Sequence, residues 1–174
     1  NRAFGISVFP LPETRLNAAA VVPGIDGRKM SKSYENTIPI FITEDELKDK
    51  VMAIKTSSAP AGTPLDPTTD TLFSIYQLVT TTEEQSEMNE RYVKGDIGYR
   101  QAKEILHQKL WTYFLPFKEK RLELEKNLDY VEDVLLDGAK RARGEIIETL
   151  EYVREIVGLG RYKRIISKGQ VQYE

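Results

Sequence analysis

The sequence has 174 residues, a formal net charge of −2 and 40% hydrophobic residues, which suits one domain or two small ones. Because it contains no cysteine and only one histidine, His107, disulfides, thiolate metal sites and multi-histidine metal centres are excluded. We find no apolar run long enough to span a membrane and no signal peptide. These features together predict a cytoplasmic protein without a metal site of its own.

The first elements in chain order are a short apolar run at residues 18–22 and the polar segment that follows it. Pro23 and Gly24 end the apolar run, and its length and flanks predict a buried strand. Residues 26–33 then read Asp-Gly-Arg-Lys-Met-Ser-Lys-Ser and are called here the lysine–serine segment. A glycine-containing loop after a strand is where α/β sheets place their ligands.

The lysine–serine segment combines two cations with small hydroxyl residues. Lys29 and Lys32 stand three positions apart, with Ser31 and Ser33 beside them. Ammonium groups neutralise phosphate charge, while hydroxyl and backbone N–H groups donate hydrogen bonds to phosphate oxygens. The segment therefore predicts a polyphosphate-binding loop, although a lysine pair in a polar loop is more often solvated surface. Its spacing does not match a Walker P-loop.

From residue 43 onward the pattern is helical. Thr43 and Glu46 form a capping box that begins a helix reaching about Ile54. Residues 57–70 must form a loop, because they contain several prolines and glycines. A further helix is predicted over residues 71–79. A second capping box over residues 82–85, with Thr82 as the cap, begins another helix that ends near Gly95.

A long helix is predicted over residues 99–126, with Pro116 expected to kink or break it. Its aromatic residues Trp111, Tyr113 and Phe114 lie in an apolar stretch and favour a core role over base stacking. His107 is expected to be a surface residue or a satisfied polar group.

The last predicted elements are two helices and a tail. The helices cover residues 130–136 and 139–157 and are separated at Asp137 and Gly138. Residues 160–174 carry four cations against one carboxylate, and the pattern indicates a basic tail or extension. The cations of residues 118–121 alternate with carboxylates, which favours ordinary surface over an RNA contact.

A specific resemblance is carried by residues 22–39, which read Val-Pro-Gly-Ile-Asp-Gly-Arg-Lys-Met-Ser-Lys-Ser-Tyr-Glu-Asn-Thr-Ile-Pro. This stretch resembles bacterial-type tryptophanyl-tRNA synthetases, which are class I aminoacyl-tRNA synthetases with Lys-Met-Ser-Lys-Ser as their second signature. The resemblance continues through residues 51–56 and 136–143 and ends at residues 157–159. It therefore covers about residues 1–159 and the C-terminal half of the family.

The resemblance implies a mainly α chain with three parts. Residues 1–42 would be the end of a Rossmann α/β catalytic domain, residues 43–159 an α-helical bundle that resembles an anticodon-binding domain, and residues 160–174 a basic tail or extension. It also implies which residues bind ATP. These are Val22, through its backbone at the adenosine, and Lys29, Met30, Ser31, Lys32 and Ser33 at the phosphates, with Lys29 and Lys32 as catalytic residues.

The function that the resemblance implies is ATP-dependent activation of tryptophan and its transfer to tRNA(Trp) by a homodimeric cytoplasmic enzyme. Mg²⁺ would enter with ATP, held by phosphates and water. The family's tryptophan pocket and first signature belong to its N-terminal half, so we expect these 174 residues alone to be inactive. Two alternatives stay open: a fragment of a tyrosyl-tRNA synthetase, which also has such a loop, and a non-catalytic helical RNA-binding module.

Overall fold

The computed structural model describes residue 5, residues 8–16, 21–60 and 62–159, and the backbone of two short strands. The described part is mainly helical. Its five α-helices are α1 (Glu44–Met52), α2 (Thr71–Tyr76), α3 (Thr82–Lys94), α4 (Tyr99–Glu125) and α5 (Leu128–Ile156). The strands β1 (Ile165–Ser167) and β2 (Gln170–Gln172) pair antiparallel, with Ile166 opposite Val171.

The chain divides into two compact units. The first is Arg15–Glu123, which contains the lysine–serine segment, helices α1 to α3 and nearly all of α4. The second combines Asn1–Thr14 with Leu124–Glu174 and contains α5. No helix among the described residues is long and apolar enough to cross a membrane.

The hydrophobic core of the first unit is built from one face of each of its four helices. Buried residues recur three or four positions apart, as the helical period requires. Burying one such side chain stabilises the fold by about 1.5–3 kcal/mol. The core consists of Leu47, Val51, Ile54, Leu65, Leu72, Phe73, Ile75, Tyr76, Met88, Tyr92, Ile97, Ala102, Leu106 and Leu110.

The capping box of α1 is confirmed, and that of α3 is displaced by one residue. Thr43 donates its N–H to Glu46 Oε2 at 2.8 Å, and its hydroxyl oxygen accepts the Glu46 N–H at 3.3 Å. The cap of α3 is Thr81 and not Thr82, because Thr81 has the extended backbone that a cap needs and Glu84 stands three residues on. Consecutive threonines made both positions fit the pattern.

Two side chains of α4 bind the two ends of α1. Lys103 Nζ donates to the carbonyls of Met52 at 2.9 Å and Ile54 at 2.7 Å, where α1 ends. His107 Nε2 lies 3.3 Å from the Glu44 carbonyl, so this buried histidine is a satisfied polar group, as one of the two expectations had it. Burial lowers the pKa of Lys103.

The cations near residue 120 already have partners within the chain. Lys118 Nζ donates to the Ile42 carbonyl at 2.6 Å and lies 3.7 Å from the centre of the Trp111 ring. Arg121 lies 4.6 Å from the centre of the Phe41 ring. Because Lys118 is half-buried and hydrogen-bonded, the expectation of ordinary surface is wrong for this residue.

The aromatic residues of α4 divide between core and surface. Trp111 and Phe114 are half-buried and pack against the core, as predicted. Tyr113 is 47% exposed, so its assignment to the core was wrong. Its ring packs edge-on against Phe114, with 5.1 Å between the ring centres.

One predicted helix boundary is wrong in this unit, and one possible helix break is absent. Helix α2 ends at Tyr76 and not at residue 79, since Val79 N–H instead closes a turn onto the Tyr76 carbonyl at 3.2 Å. Helix α4 has nearly the predicted bounds and continues through Pro116 to Glu125, so of the kink or break expected there the break does not occur. Of the predicted strand, residues 18–20 lie outside the described residues. Val21 and Val22 are exposed and not part of a strand.

The two predicted C-terminal helices are one continuous helix, α5. Gly138 lies inside it, and Arg141 Nε pairs with Asp137 Oδ2 at 3.1 Å across the glycine. A helical glycine costs only about 1 kcal/mol relative to alanine, and the flanking residues are good helix formers. Asn127 caps the helix, so the cations at residues 140–143 lie in its middle.

Candidate functional site

The residues before and within the lysine–serine segment form a tight hairpin over residues 22–30. Pro23 pairs with Lys29 in an antiparallel bridge. One residue further out, the Met30 N–H donates to the Val22 carbonyl at 2.8 Å. The bridge at Lys29 and the hydrogen bond at Met30 therefore fix the backbone of Lys29, while its side chain is exposed.

A four-residue turn closes the hairpin. The Gly27 N–H donates to the Gly24 carbonyl at 2.9 Å, and the Gly24 N–H donates to the Arg28 carbonyl at 2.7 Å. Gly27 has φ of 84°, a left-handed backbone that glycine adopts without strain. The turn brings Arg28 and Asp26 together, with 2.7 Å between Arg28 Nη2 and Asp26 Oδ2.

The end of the lysine–serine segment is a single turn of 3₁₀ helix over Lys32–Tyr34. Ser31 is extended and precedes the turn, and its carbonyl accepts the Tyr34 N–H at 3.1 Å. Glu35 closes the turn in the left-handed region, with φ of 52°. Lys32 and Ser33 are exposed, so their polar groups can reach a ligand.

Asn36 is a buried polar residue that connects the hairpin to the start of the 3₁₀ turn. Its side-chain Oδ1 accepts the Ser31 N–H at 2.8 Å. Its Nδ2 donates to Asp26 Oδ1 at 2.7 Å and to the Lys29 carbonyl at 3.2 Å. Its own carbonyl accepts the Ile25 N–H at 3.0 Å, and only 2% of the residue is exposed. One amide therefore fixes the hairpin and the residue that leads into the 3₁₀ turn.

The sequence pattern singles out the lysines and serines of the segment and assigns no role to Asn36. Its three side-chain partners lie five, seven and ten residues away, and no single helical or strand period produces all three spacings. The hairpin is also tied to the helical core, because the Lys55 N–H, just after α1, donates to the Ile25 carbonyl at 2.8 Å.

The carboxyl group of Asp26 is perturbed by its partners. The hydrogen bond from Asn36, with further hydrogen bonds and charge from Arg28, lowers its pKa to about 2, although partial burial acts in the opposite direction. The ionised carboxylate therefore stabilises this fold above its unfolded pKa of about 4. That contribution is lost as the pH falls from about 4 through about 2.

We predict that Asn36→Ala raises the pKa of Asp26 towards its ordinary value, because the main hydrogen bond to the carboxylate is removed. A titration followed by carboxyl carbon NMR shifts measures this change. Asp66 is the internal control, since its pKa is lowered by Thr68 and Thr69 and should not move. An unchanged Asp26 titration would show that Asn36 does not set this pKa.

The structure places the six predicted site residues on one continuous stretch. Lys29, Lys32 and Ser33 are exposed, while Met30 and Ser31 are half-buried. The Val22 carbonyl is already bonded to Met30, and a carbonyl oxygen has a second lone pair for a ligand. Cationic and hydroxyl groups thus surround a rigidly held backbone, as an anionic ligand requires. The ligand-binding roles themselves stay predictions.

The described site is thus a hairpin with exposed lysine and serine side chains, and a helical region follows it. The sequence model described as tRNA synthetases class I (W and Y) matches residues 1–114, and the chain belongs to this family. Similar curated proteins are tryptophan–tRNA ligases. That of Fusobacterium nucleatum is 45% identical over 160 residues, which are 91% of this chain and 49% of the relative. That of Rhodopirellula baltica is 42% identical and covers 91% of this chain and 50% of the relative.

A solved structure is similar as well. It is tryptophanyl-tRNA synthetase from Campylobacter jejuni complexed with ADP and tryptophan, 38% identical, with a TM-score of 0.72 over 87% of this chain and 48% of that one. The chain spans about half the length of the relatives it matches and corresponds to their C-terminal half. The predicted family and the mainly helical fold are therefore confirmed, and these relatives favour tryptophan over the tyrosine alternative.

Proposed function

We propose that this chain is part of an enzyme that activates tryptophan with ATP and transfers it to tRNA(Trp). Family membership and the names of the similar proteins support this proposal. The observation that carries it is the geometry of the lysine–serine segment, in which two exposed lysines extend from a backbone held by Asn36. The Campylobacter protein, which binds ADP and tryptophan, supports the choice of both substrates.

In the proposed reaction the tryptophan carboxylate attacks the α-phosphorus of ATP. A bond forms between the carboxylate oxygen and phosphorus, and the bond to the bridging oxygen of pyrophosphate breaks. Negative charge accumulates on the pyrophosphate, and fixed cations that meet it lower the barrier. Lys29 and Lys32 supply those cations, and Ser31 and Ser33 supply hydrogen-bond donors.

The two lysines are held differently, which suggests different parts in this step. The Lys29 backbone is fixed in the hairpin, so its ammonium group can serve as a permanent anchor for phosphate. Lys32 begins the short 3₁₀ turn, which contains backbone bonds from Tyr34 N–H and Glu35 N–H and whose Tyr34 ring lies 4.4 Å from the Arg28 guanidinium. The exposed ammonium group of Lys32 lies on a flexible side chain and can meet charge as it develops, and interactions that form only in the transition state raise kcat.

The remaining proposed contacts are at the adenosine and the metal. The Val22 backbone lies at the entrance of the hairpin and is assigned to the adenosine, while half-buried Met30 anchors the loop by packing. The ammonium and hydroxyl groups that this loop offers fit phosphate oxygens, and its ammonium groups would repel a divalent cation. Mg²⁺ would therefore enter with ATP, because phosphate oxygens and water are its preferred ligands.

The partners of the whole protein are proposals of the same kind. We assign tRNA(Trp) to the helical region over residues 43–159, and residues 1–42 to the end of the catalytic domain. A homodimer in the cytoplasm is the proposed state. In the described part of the chain, Lys118 is already bonded to Ile42, so it is a poor candidate for a phosphate contact.

The decisive experiment is amino-acid-dependent exchange of labelled pyrophosphate into ATP, catalysed by the complete gene product. We expect exchange with tryptophan and none with tyrosine. These 174 residues expressed alone should give no exchange, since the tryptophan pocket belongs to the family's other half. Exchange with tyrosine, no exchange with either amino acid, or turnover by the 174 residues alone would each contradict the proposal.

A further inference from the structure

We propose that Asn36 is a positioning residue for ATP activation, because its one buried amide sets the places of both signature lysines. This inference rests on the proposed function. Asn36 lies outside the lysine–serine segment and would touch no substrate. It acts through the Lys29 carbonyl, the Ser31 N–H and the carboxylate of Asp26.

The hydrogen bonds allow only one orientation of this amide. The Ser31 N–H is a donor and needs an acceptor, which only Oδ1 provides. The Asp26 carboxylate and the Lys29 carbonyl are acceptors and need donors, which only Nδ2 provides. Every polar atom of the side chain is used, and the residue is almost fully buried.

Gly24 completes the set of residues that enclose this side chain. Together with Asp26, Lys29 and Ser31 it forms what is called here the socket. A Cβ at Gly24 would lie 2.4 Å from both Cγ and Nδ2 of Asn36, so only glycine leaves room for the amide. The hairpin therefore packs directly on Asn36 and cannot shift without displacing it. One bonded position is Lys29 itself. The other is Ser31, which immediately precedes Lys32. A change at Asn36 thus removes one bond at Lys29 and one at the residue before Lys32.

The charged groups around the amide are few and define a specific test. Asp26 faces Nδ2 directly, and Arg28 pairs with the other oxygen of the same carboxylate. The other groups that contact the amide are the backbone of Lys29, Ser31 and Gly24. Asn36→Asp would place a second carboxylate against Asp26. Two adjacent carboxylates raise the pKa of one of them, so the pair then holds one shared proton at a higher pH.

The experiment compares Asn36→Asp with Asn36→Ala in the complete gene product, by tryptophan-dependent pyrophosphate exchange from pH 6 to 8.5. Asn36→Ala should lower kcat about 10- to 100-fold at every pH, the scale for misplaced catalytic groups, with a smaller change in the KM for ATP. Asn36→Asp should be equally slow at high pH and recover towards wild type as the pH falls. Protonation turns the new carboxyl group into a donor to Asp26, while its other oxygen still accepts the Ser31 N–H. The recovery should be partial, because a carboxyl group has one donor and the Lys29 carbonyl loses the bond that Asn36 Nδ2 gave it.

Parallel pH profiles for the two variants, or rates within about twofold of wild type, would overturn the assignment. Thr43→Ala serves as the stability control, because it loses the cap of α1 but no contact of Asn36, and it should retain exchange. Hydrogen–deuterium exchange at the Ser31 amide measures the stability of its hydrogen bond to Asn36 independently of catalysis. If wild type shows no pyrophosphate exchange, the proposed function fails. If wild type is active and the Asn36 variants are too, only this inference fails.

Discussion

Replacing Lys32 by alanine in the complete gene product is expected to slow tryptophan-dependent pyrophosphate exchange about a hundredfold or more, the scale for losing one transition-state donor. The physical reason is that this exposed ammonium group would meet the charge that develops on the leaving pyrophosphate. Because the contact strengthens in the transition state, kcat should fall more than the affinity for ATP does. Steady-state exchange over a range of ATP concentrations separates the two effects.

The matched control for this prediction is Lys48→Ala, which removes an exposed lysine from α1 without changing the lysine–serine segment. It should leave exchange unchanged, since loss of one surface charge has little effect on a distant step. Lys32→Arg should be intermediate, because the charge is kept but the compact ammonium group is lost. Equal rates for wild type and Lys32→Ala would remove Lys32 from the catalytic role.

The features that were predicted correctly from sequence depend on residues only a few positions apart. The capping box of α1 joins residues three apart, and the apolar faces of the helices repeat every three or four residues. Both features depend on local geometry, and the structure confirms them. The family could be predicted for a related reason, since residues 22–39 form one uninterrupted stretch. The ATP-binding roles of Val22 and residues 29–33 are still predictions.

The wrong predictions at Gly138 and Thr82 concern alternatives that differ little in free energy. At Gly138 the predicted helix end relied on a glycine penalty of only about 1 kcal/mol, which good helix formers on both sides outweigh. At Thr81 and Thr82 two adjacent residues fitted one capping pattern almost equally well. Neither choice can be made from local propensity, because the competing alternatives differ by less than the packing energy of a single buried residue.

Asn36 could not have been predicted from pattern, because its role depends on a socket that exists only in the folded hairpin. An asparagine in a polar stretch reads as a turn residue. Its burial becomes visible only when Gly24, the Ser31 N–H and the Lys29 carbonyl converge on it. The residue that organises the site is therefore one that the signature does not include.

Gly24→Ala tests that socket from the opposite side and should have the second large effect. The added Cβ would overlap Cγ and Nδ2 of Asn36 at 2.4 Å and its carbonyl oxygen at 2.6 Å. Asn36 is buried and cannot swing away, so either the amide or the hairpin must be displaced. Overpacking of this kind costs about 1–3 kcal/mol, and the bonds of the amide weaken with it. We expect a lower Tm, faster hydrogen exchange at Met30 and Ser31, and a loss of pyrophosphate exchange comparable to that of Asn36→Ala.

Gly98→Ala is the matched control for Gly24→Ala, because a Cβ at Gly98 meets no atom within 4 Å. It makes the same chemical change at the residue before α4, where alanine is a poorer cap than glycine, so a small fall in Tm is expected while pyrophosphate exchange stays near wild type. The double variant Gly24→Ala with Asn36→Ala gives the sharpest comparison, since removing the amide makes room for the new methyl group. Its effect should be smaller than the sum of the two single effects, because both act on one socket. Additive losses would mean that Gly24 and Asn36 act independently, and the socket would then not be the unit that places Lys29 and Lys32.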